Sequence, residues 1–392
     1  MNLGRWRLPW ISVRVLLVMC GVVVGICPAL AGEIKVGMSS AFSGLAAAMG
    51  EGMRQGVESH FRKISTDGGV HGHTVRLIAL DDGYEPERTA PNVRRLIEEE
   101  KVIALIGNGG TPTAVVTVPI VQQMRTLLFG AYTGASLLRK KPPERYVVNY
   151  RASYREETAA MVTGLLNRGI KPEEIAFFTQ NDSFGDDGYR GGIETLQAMG
   201  FSAAEKLPHG RYTRNTINVE EGLSTILAGK VDPKAIILVG SYKPCAAFIR
   251  LARRDLPSTL FLNVSFVGSE PLARELGAEA EGVIVTQVVP PLDSDLPLLH
   301  EFRQVMKDMG MNSSLIALEG YLVARLFTLG LTKAGPDPTH ESLVDALENL
   351  GTVDLGLDTP LHLSREEHQA SHRIWPTVYR QGRFVTLDWK NL

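Results

Sequence analysis

The residues best placed to do chemistry in this chain are small hydroxyl residues in short loops, each following an apolar, strand-like run. Gly107-Asn108-Gly109-Gly110-Thr111-Pro112-Thr113 follows Val102–Ile106 and opens a helix, with Pro112 in a first turn that tolerates it. Free backbone N–H groups and the Thr111 hydroxyl at such a helix start attract an anion, and a carboxylate fits. The same residues also read as an ordinary threonine cap before proline. Gly130-Ala131-Tyr132-Thr133-Gly134-Ala135 follows the next strand. Its carbonyls and the Thr133 hydroxyl can accept from an ammonium, and a tight strand-to-helix connection uses the same residue types. Phe184, Tyr242 and Glu270 stand in loops after three further strands. Taken singly they are helix-start aromatics that pack locally and an acid favoured by the helix dipole. Their recurrence at strand carboxyl ends in two successive units places them where the ligand of a cleft must lie.

Groups for catalysis are sparse. Gly107-Asn108-Gly109-Gly110 runs into Thr111-Pro112, which breaks a dinucleotide-binding pattern, and neither a Walker loop nor a Gly-x-Ser-x-Gly elbow occurs. His71-Gly72-His73 sits in a glycine-rich turn. The pair His368 and His372 lacks the acidic neighbour of a zincin. Both pairs read as solvated surface histidines, so no metal and no cofactor are expected. Asp81-Asp82 and Asp186-Asp187 read as structural loop acids rather than an acid–base pair. The expectation is a binding protein, not an enzyme.

The elements that must hold these loops alternate strand and helix from residue 33 to about 285. A first unit runs through Ile34–Met38, Val75–Leu80, Val102–Ile106, Leu127–Phe129 and Tyr146–Val148 as strands. A second begins with a helix over Ser153–Arg168, opened by a Ser153/Glu156 capping box. Its strands are expected at Ile175–Thr179, Ala204–Leu207, Ala235–Val239, Leu260–Val264 and Gly282–Thr286. Helices over Leu298–Met309, Ser314–Ala334 and His340–Leu350 follow, and the tail ends in a hairpin pattern. Two such units in series predict an α/β fold of two lobes, each a parallel sheet flanked by helices, facing across a cleft.

Residues 1–31 read as a cleavable secretory signal: Arg5, Arg7 and Arg14, an apolar stretch from Val15 to Cys27, then Ala29-Leu30-Ala31. The apolar stretch is shorter than the roughly 20 residues of a membrane span. Without the three signal arginines, 38 of the 41 Lys and Arg remain against 43 Asp and Glu, a net charge near −5. With no basic run, nucleic acid is not an expected partner. Of three cysteines only Cys245 lies beyond the signal, so no intrachain disulfide is expected.

Ile34-Lys35-Val36-Gly37 with Ser43-Gly44, Asp67–Gly72, Asp81-Asp82-Gly83-Tyr84-Glu85-Pro86, Val102–Gly107, Tyr242 and Phe266–Glu270 recur in an order and spacing that together carry a likeness. Over about residues 33–390 the chain resembles the periplasmic branched-chain amino-acid-binding proteins of ABC transporters, the leucine/isoleucine/valine-binding type. The resemblance implies a type I periplasmic-binding-protein fold with three hinge crossovers. Lobe 1 would take residues 32–152 plus 287–353 and lobe 2 residues 153–286 plus 354–392. It implies that Thr111 binds the ligand α-carboxylate, that Ala131 and Thr133 hold the α-ammonium, that Glu270 pairs with it, and that Tyr242 closes the cleft. Phe184 stands where the family commonly has tyrosine, which removes a phenol hydrogen bond. The family's first-lobe disulfide would fall on Tyr84 and Gly110 and is therefore absent. The function implied is capture of an amino acid for an ABC importer, by a monomer in the periplasm that meets a membrane ABC permease. A receptor for another small solute (a urea or amide, an aromatic or aliphatic carboxylate) and a sensory ligand-binding protein are the alternatives.

Overall fold

The computed structural model describes Met1 and residues 32–391, so the signal read at residues 1–31 lies outside the described residues apart from Met1. The first layer is built from β1 (Glu33–Ser40), α1 (Ala47–Thr66), β2 (Thr74–Asp81), α2 (Pro86–Glu98), β3 (Ala104–Ile106), α3 (Thr111–Met124), β4 (Leu127–Phe129) and β5 (Val147–Val148). Its five strands run parallel in the order β2-β1-β3-β4-β5. β3, β4 and β5 are buried throughout, as parallel strands covered by helices must be.

The second layer follows with α4 (Tyr154–Asn167), β6 (Ile175–Gln180), α5 (Ser183–Ala198), β7 (His209–Tyr212), α6 (Glu220–Leu227), β8 (Ala235–Val239), α7 (Tyr242–Asp255), β9 (Leu260–Asn263), α8 (Ser269–Leu276) and β10 (Ile284–Gln287). Then come α9 (Pro297–Asp308), α10 (Leu315–Ala334), α11 (His340–Glu348), a small antiparallel pair of β11 (Gly351–Val353) and β12 (Leu361–Leu363), and the hairpin of β13 (Trp375–Arg380) and β14 (Arg383–Thr386). The second sheet has seven strands in the order β14-β13-β10-β9-β8-β6-β7, parallel except for the hairpin.

Two expectations are corrected. Ala204–Leu207 is not a strand: Ala204–Lys206 forms a single 3-10 turn, and the edge strand starts two residues later, at His209. Buried Ala204 and Leu207 imitate a strand pattern, but Gly210 is what lets the edge lie against α6, since a Cβ there would stand 2.1 Å from the Gly222 carbonyl oxygen. His368 is not a solvated surface residue. It is buried, with Nδ1 2.9 Å from the Val147 carbonyl and Nε2 3.4 Å from Glu348. β11 and β12 were not expected from the sequence pattern.

Three segments pass between the layers side by side. Asn149 N–H donates to His368 O at 2.7 Å, Ala370 N–H to Asn149 O at 2.9 Å and Ser371 N–H to Tyr150 O at 2.9 Å. The Tyr150 hydroxyl reaches Val288 O, 3.4 Å away, in the segment after β10. The Ser153/Glu156 capping box is formed as read, with Glu156 Oε2 2.6 Å from Ser153 N. It fixes the first turn of α4 and so aims the next residue, Glu157, inward.

α10 is long and apolar enough to cross a bilayer, yet 83% of its apolar window is buried, and it lies along α1 as a core helix. The approach depends on glycines at the crossing. A Cβ on Gly56 would stand 2.0 Å from the Ala317 carbonyl oxygen, and one on Gly320 would stand 2.4 Å from that of Met53. Backbone cannot give way as a flexible side chain does, so Gly56→Ala is expected to destabilise by about 3 kcal/mol or more. Urea unfolding measures it, and a loss under about 1 kcal/mol would mean the two helices separate freely.

Candidate functional site

At the carboxyl edge of the first sheet, β3 and β4 deliver two hydroxyls to each other. Thr111 Oγ1 at the start of α3 lies 2.8 Å from Thr133 Oγ1, and both residues are buried. Thr133 N–H donates to Ala131 O at 2.8 Å, so all three predicted residues of this edge come together. The turn needs glycine before Thr111: Gly110 has φ 99°, and a Cβ on it would stand 2.2 Å from the Tyr84 ring. Tyr84 and Gly110 are the positions at which the resemblance places a disulfide, and here a tyrosine ring covers the glycine instead.

The second sheet brings aromatic residues to the same place. Phe266, in the loop after β9, packs at ring-centroid distances of 4.7 Å from Phe184, 5.2 Å from Tyr132 and 5.9 Å from Tyr84. Tyr154 lies 5.0 Å from Phe184. Loops of the first sheet (Tyr84, Tyr132) thus clasp Phe266 from the second, while Phe184 fills the gap behind it. Polar contacts join the layers further out. Gln180 Nε2 donates to the Tyr84 hydroxyl at 3.1 Å, Asn215 Nδ2 to Glu85 at 2.6 Å, and Arg214 to Glu85 at 2.8 Å. Tyr242 begins α7 apart from this cluster, with its hydroxyl against the Ala48 backbone.

Beneath the aromatics lies a charged group. Arg151, in the first connecting segment, is 0% exposed. Its Nη2 bonds Ser265 Oγ and lies 3.4 Å from Glu157 Oε1, and its Nη1 lies 3.4 Å from Glu319 Oε1. Glu157, from α4, also accepts from Ser265 N at 2.7 Å and Thr286 Oγ1 at 2.6 Å. Glu319 comes from α10, packed on the first layer. The guanidinium sits 5.1 Å from the Tyr132 ring centroid and 5.9 Å from that of Tyr154, within cation–π range. Burial works against the guanidinium charge, but Glu319 and Glu157 outweigh it and hold Arg151 protonated. Burial raises the pKa of Glu157, against Arg151 and three hydrogen bonds. Glu319 has less support, and burial, opposed by Arg151 and reinforced by Glu157, pushes it up to about 7.

Glu270 stands elsewhere. As the second residue of α8 it turns Oε1 to the Leu315 N–H, 2.8 Å away, at the start of α10, while its buried Oε2 has no hydrogen-bond partner. Burial raises its pKa, which the Leu315 N–H and its own N–H oppose. Two cavities flank this wall. One, lined by Tyr132, Ser265, Ser269, Gln287, Leu315 and Glu319 among others, has only about 10 Å³, room for one water at most. The other, about 530 Å³, opens beside the β13–β14 hairpin and is lined by Glu270, Leu292, Leu315, Thr377, Tyr379 and Phe384 among others.

The sequence reading missed Arg151, Glu157, Glu319 and Ser265. One signal was available: Glu319 is the single acid in the apolar run Leu315–Thr332, and an acid inside a core helix is almost never buried without a partner. Glu157 was hidden beside its capping neighbour Glu156. Arg151 carries no local signature, because only the crossing of three distant segments buries it.

The buried acids predict a pH dependence. Glu319 has a reference value of 4.5 in the unfolded chain and titrates at about 7 in the folded one. The folded state therefore binds this proton more tightly. The stability it contributes is complete below about pH 4.5 and is lost as pH rises to 7. Glu319→Gln should gain about 3 kcal/mol relative to the wild type between those limits, read by urea unfolding at each pH. A difference that does not change with pH would mean Glu319 carries no such shift.

The backbone superposes on a possible leucine/isoleucine/valine-binding protein from Rhodopirellula baltica SH 1 with a TM-score of 0.90 and 49% sequence identity, covering 92% of this chain and 98% of that one. In sequence the chain is 21% identical over 275 residues to an amino acid binding protein of Pseudomonas aeruginosa, covering 67% of this chain and 69% of that protein. It is 27% identical over 179 residues to the Leu/Ile/Val-binding protein homolog 7 of Brucella suis biovar 1, and that match spans less than half of the relative, 43% of its length. A family model for periplasmic binding proteins matches residues 33–383, nearly the whole of both layers, and the chain belongs to that family.

Proposed function

We propose that this chain is the extracytoplasmic substrate-binding component of an ABC importer and captures an amino acid with an apolar side chain by hinge closure. On this reading residues 1–31 direct export to the periplasm. Residues 32–152 plus 287–353 move as one lobe, residues 153–286 plus 354–392 as the other, and the closed monomer docks on a membrane permease. The observation that carries the reading is the meeting of the two sheets' strand-end loops, hydroxyls on one side and aromatics on the other, over a buried guanidinium shared by two carboxylates. The ligand carboxylate binds at Thr111 and the start of α3. Its ammonium binds at Ala131 O and Thr133 with Phe184 behind them, and Glu270 and Tyr242, which stand apart from this cluster here, join the site through movement of the layers. Charge-assisted hydrogen bonds of this kind fix both orientation and strength.

One observation favours a second reading. Arg151 keeps Nε without a hydrogen-bond partner and Nη1 with only the 3.4 Å ion pair to Glu319, and a buried guanidinium with donors to spare suits a carboxylate that has no ammonium. Calorimetric titration of leucine against its deaminated counterpart, 4-methylpentanoate, separates the two. Leucine should bind and the deaminated acid should bind far more weakly; the reverse order would make this a carboxylate receptor. Thr111→Ala should weaken leucine binding by about 1–3 kcal/mol, the loss of one donor to a buried charge. Glu270→Gln should weaken it by about 2–5 kcal/mol. Small-angle scattering should show a smaller radius of gyration at saturation, and an unchanged radius would count against hinge capture.

A further inference from the structure

Between the aromatic loops, the cavity found among the described residues is too small for the apolar body of a ligand. The cavity at Tyr132, Ser265 and Glu319 has about 10 Å³, whereas the lateral cavity beyond it has about 530 Å³. A single polar layer divides the two. Gln287 Nε2 donates to Ser269 Oγ at 2.7 Å and lies 3.2 Å from Thr377 Oγ1. Gln287 and Ser269 line the small cavity, Thr377 lines the large one, and Leu315 lines both. All three polar residues are buried, at 3%, 1% and 0% exposure. The partition is held by two hydrogen bonds to hydroxyls, on a side chain with three rotatable bonds. Beyond it the wall carries Pro291, Leu292, Leu315, Tyr379 and Phe384, with the exposed Arg274, Asp293 and Arg383 also lining the cavity.

We infer that the lateral cavity is a tail pocket. The solute's charged head group lies at the inter-layer cluster, and an unbranched apolar chain passes Gln287 into the space between Leu292, Leu315, Tyr379 and Phe384. The inference rests on the amino-acid reading above and narrows it to long-chain members, 2-aminoalkanoic acids that extend well beyond the length of leucine. Glu270 fits this placement, since it lies on the cavity wall next to Ser269 and would meet the ammonium where head group and chain join.

The test is a calorimetric series of the L-2-aminoalkanoic acids with five, six, eight and ten carbons against the mature wild-type protein. Affinity should rise about three- to fourfold for each added methylene, the increment for burying one such group. Two variants fill the pocket: Ala273→Phe from α8 and Leu292→Trp from the half-buried loop, the latter at the margin of the core rather than within it. In Leu292→Trp the five-carbon acid should bind as in the wild type, while the gain with chain length disappears. If the five-carbon acid binds the wild type and longer acids bind no better, the tail pocket is wrong and the amino-acid reading stands. If Leu292→Trp keeps the full chain-length gain, the chain lies elsewhere and the inference falls. If no member of the series binds, the amino-acid reading fails and takes this inference with it.

Discussion

The burial of one guanidinium constrains most of this structure. Arg151 cannot shed its proton, and removing its charge from water costs several kcal/mol. Two carboxylates, a serine hydroxyl and two aromatic faces offset that cost. Only Tyr154 and Glu157 are near it in sequence, in the first turn of α4. Glu157 arrives on a helix of the second layer, Glu319 on a helix packed against the first, and Ser265 in the loop after β9. The arrangement therefore exists only when both layers and the connecting segments are in register. A buried ion cluster of this sort contributes less to stability than to specifying one arrangement, because any other leaves an unpaired charge in a dry place.

The acids on this centre also differ, in a useful way. Glu157 accepts from a backbone amide and from the hydroxyls of Ser265 and Thr286, so its charge is solvated by fixed dipoles. Glu319 has Arg151 at 3.4 Å and an oxygen with no hydrogen-bond partner among the described residues. Of the two, Glu319 has the fewer fixed partners, so on the proposed function it is the one whose charge a bound ligand would shift. A ligand that brings a cation favours its ionised form; one that brings an anion favours its protonated form.

The sequence made the architecture legible because parallel strands advertise themselves as short apolar runs with glycine-rich ends. Val102–Ile106, Leu127–Phe129 and Ala235–Val239 have this form, and each contains a strand in the core of a sheet. The Thr111, Ala131 and Thr133 grouping was legible for the same reason: residues that follow adjacent strands are brought to one edge. The edge strand at His209 was not, because it buries only alternate residues and its neighbour Leu207 is as apolar as any strand residue. The charged cluster was invisible for a deeper reason. Arg151 and Glu319 are separated by 168 positions, and nothing local distinguishes an arginine that will be buried from one that will be solvated.

Closure of the layers is held at two depths, and solvent treats them differently. At the outer depth, Arg214 and Asn215 meet Glu85, and the Arg214 and Glu85 side chains are 23% and 36% exposed. Such pairs contribute at most about 1 kcal/mol and are weakened by salt. When the layers part, water replaces them at little cost. At the inner depth, Arg151, Glu157 and Glu319 are nearly sealed from water, so their attraction is neither screened nor readily replaced. On the proposed hinge closure the outer contacts would break and re-form, while the inner cluster would either stay intact as a pivot or admit a ligand group in exchange. Its position beside the connecting segments, through Tyr150 and Val288, favours the pivot. On the hinge closure proposed above, the layers would turn about a charged centre that does not have to be rebuilt at each closure.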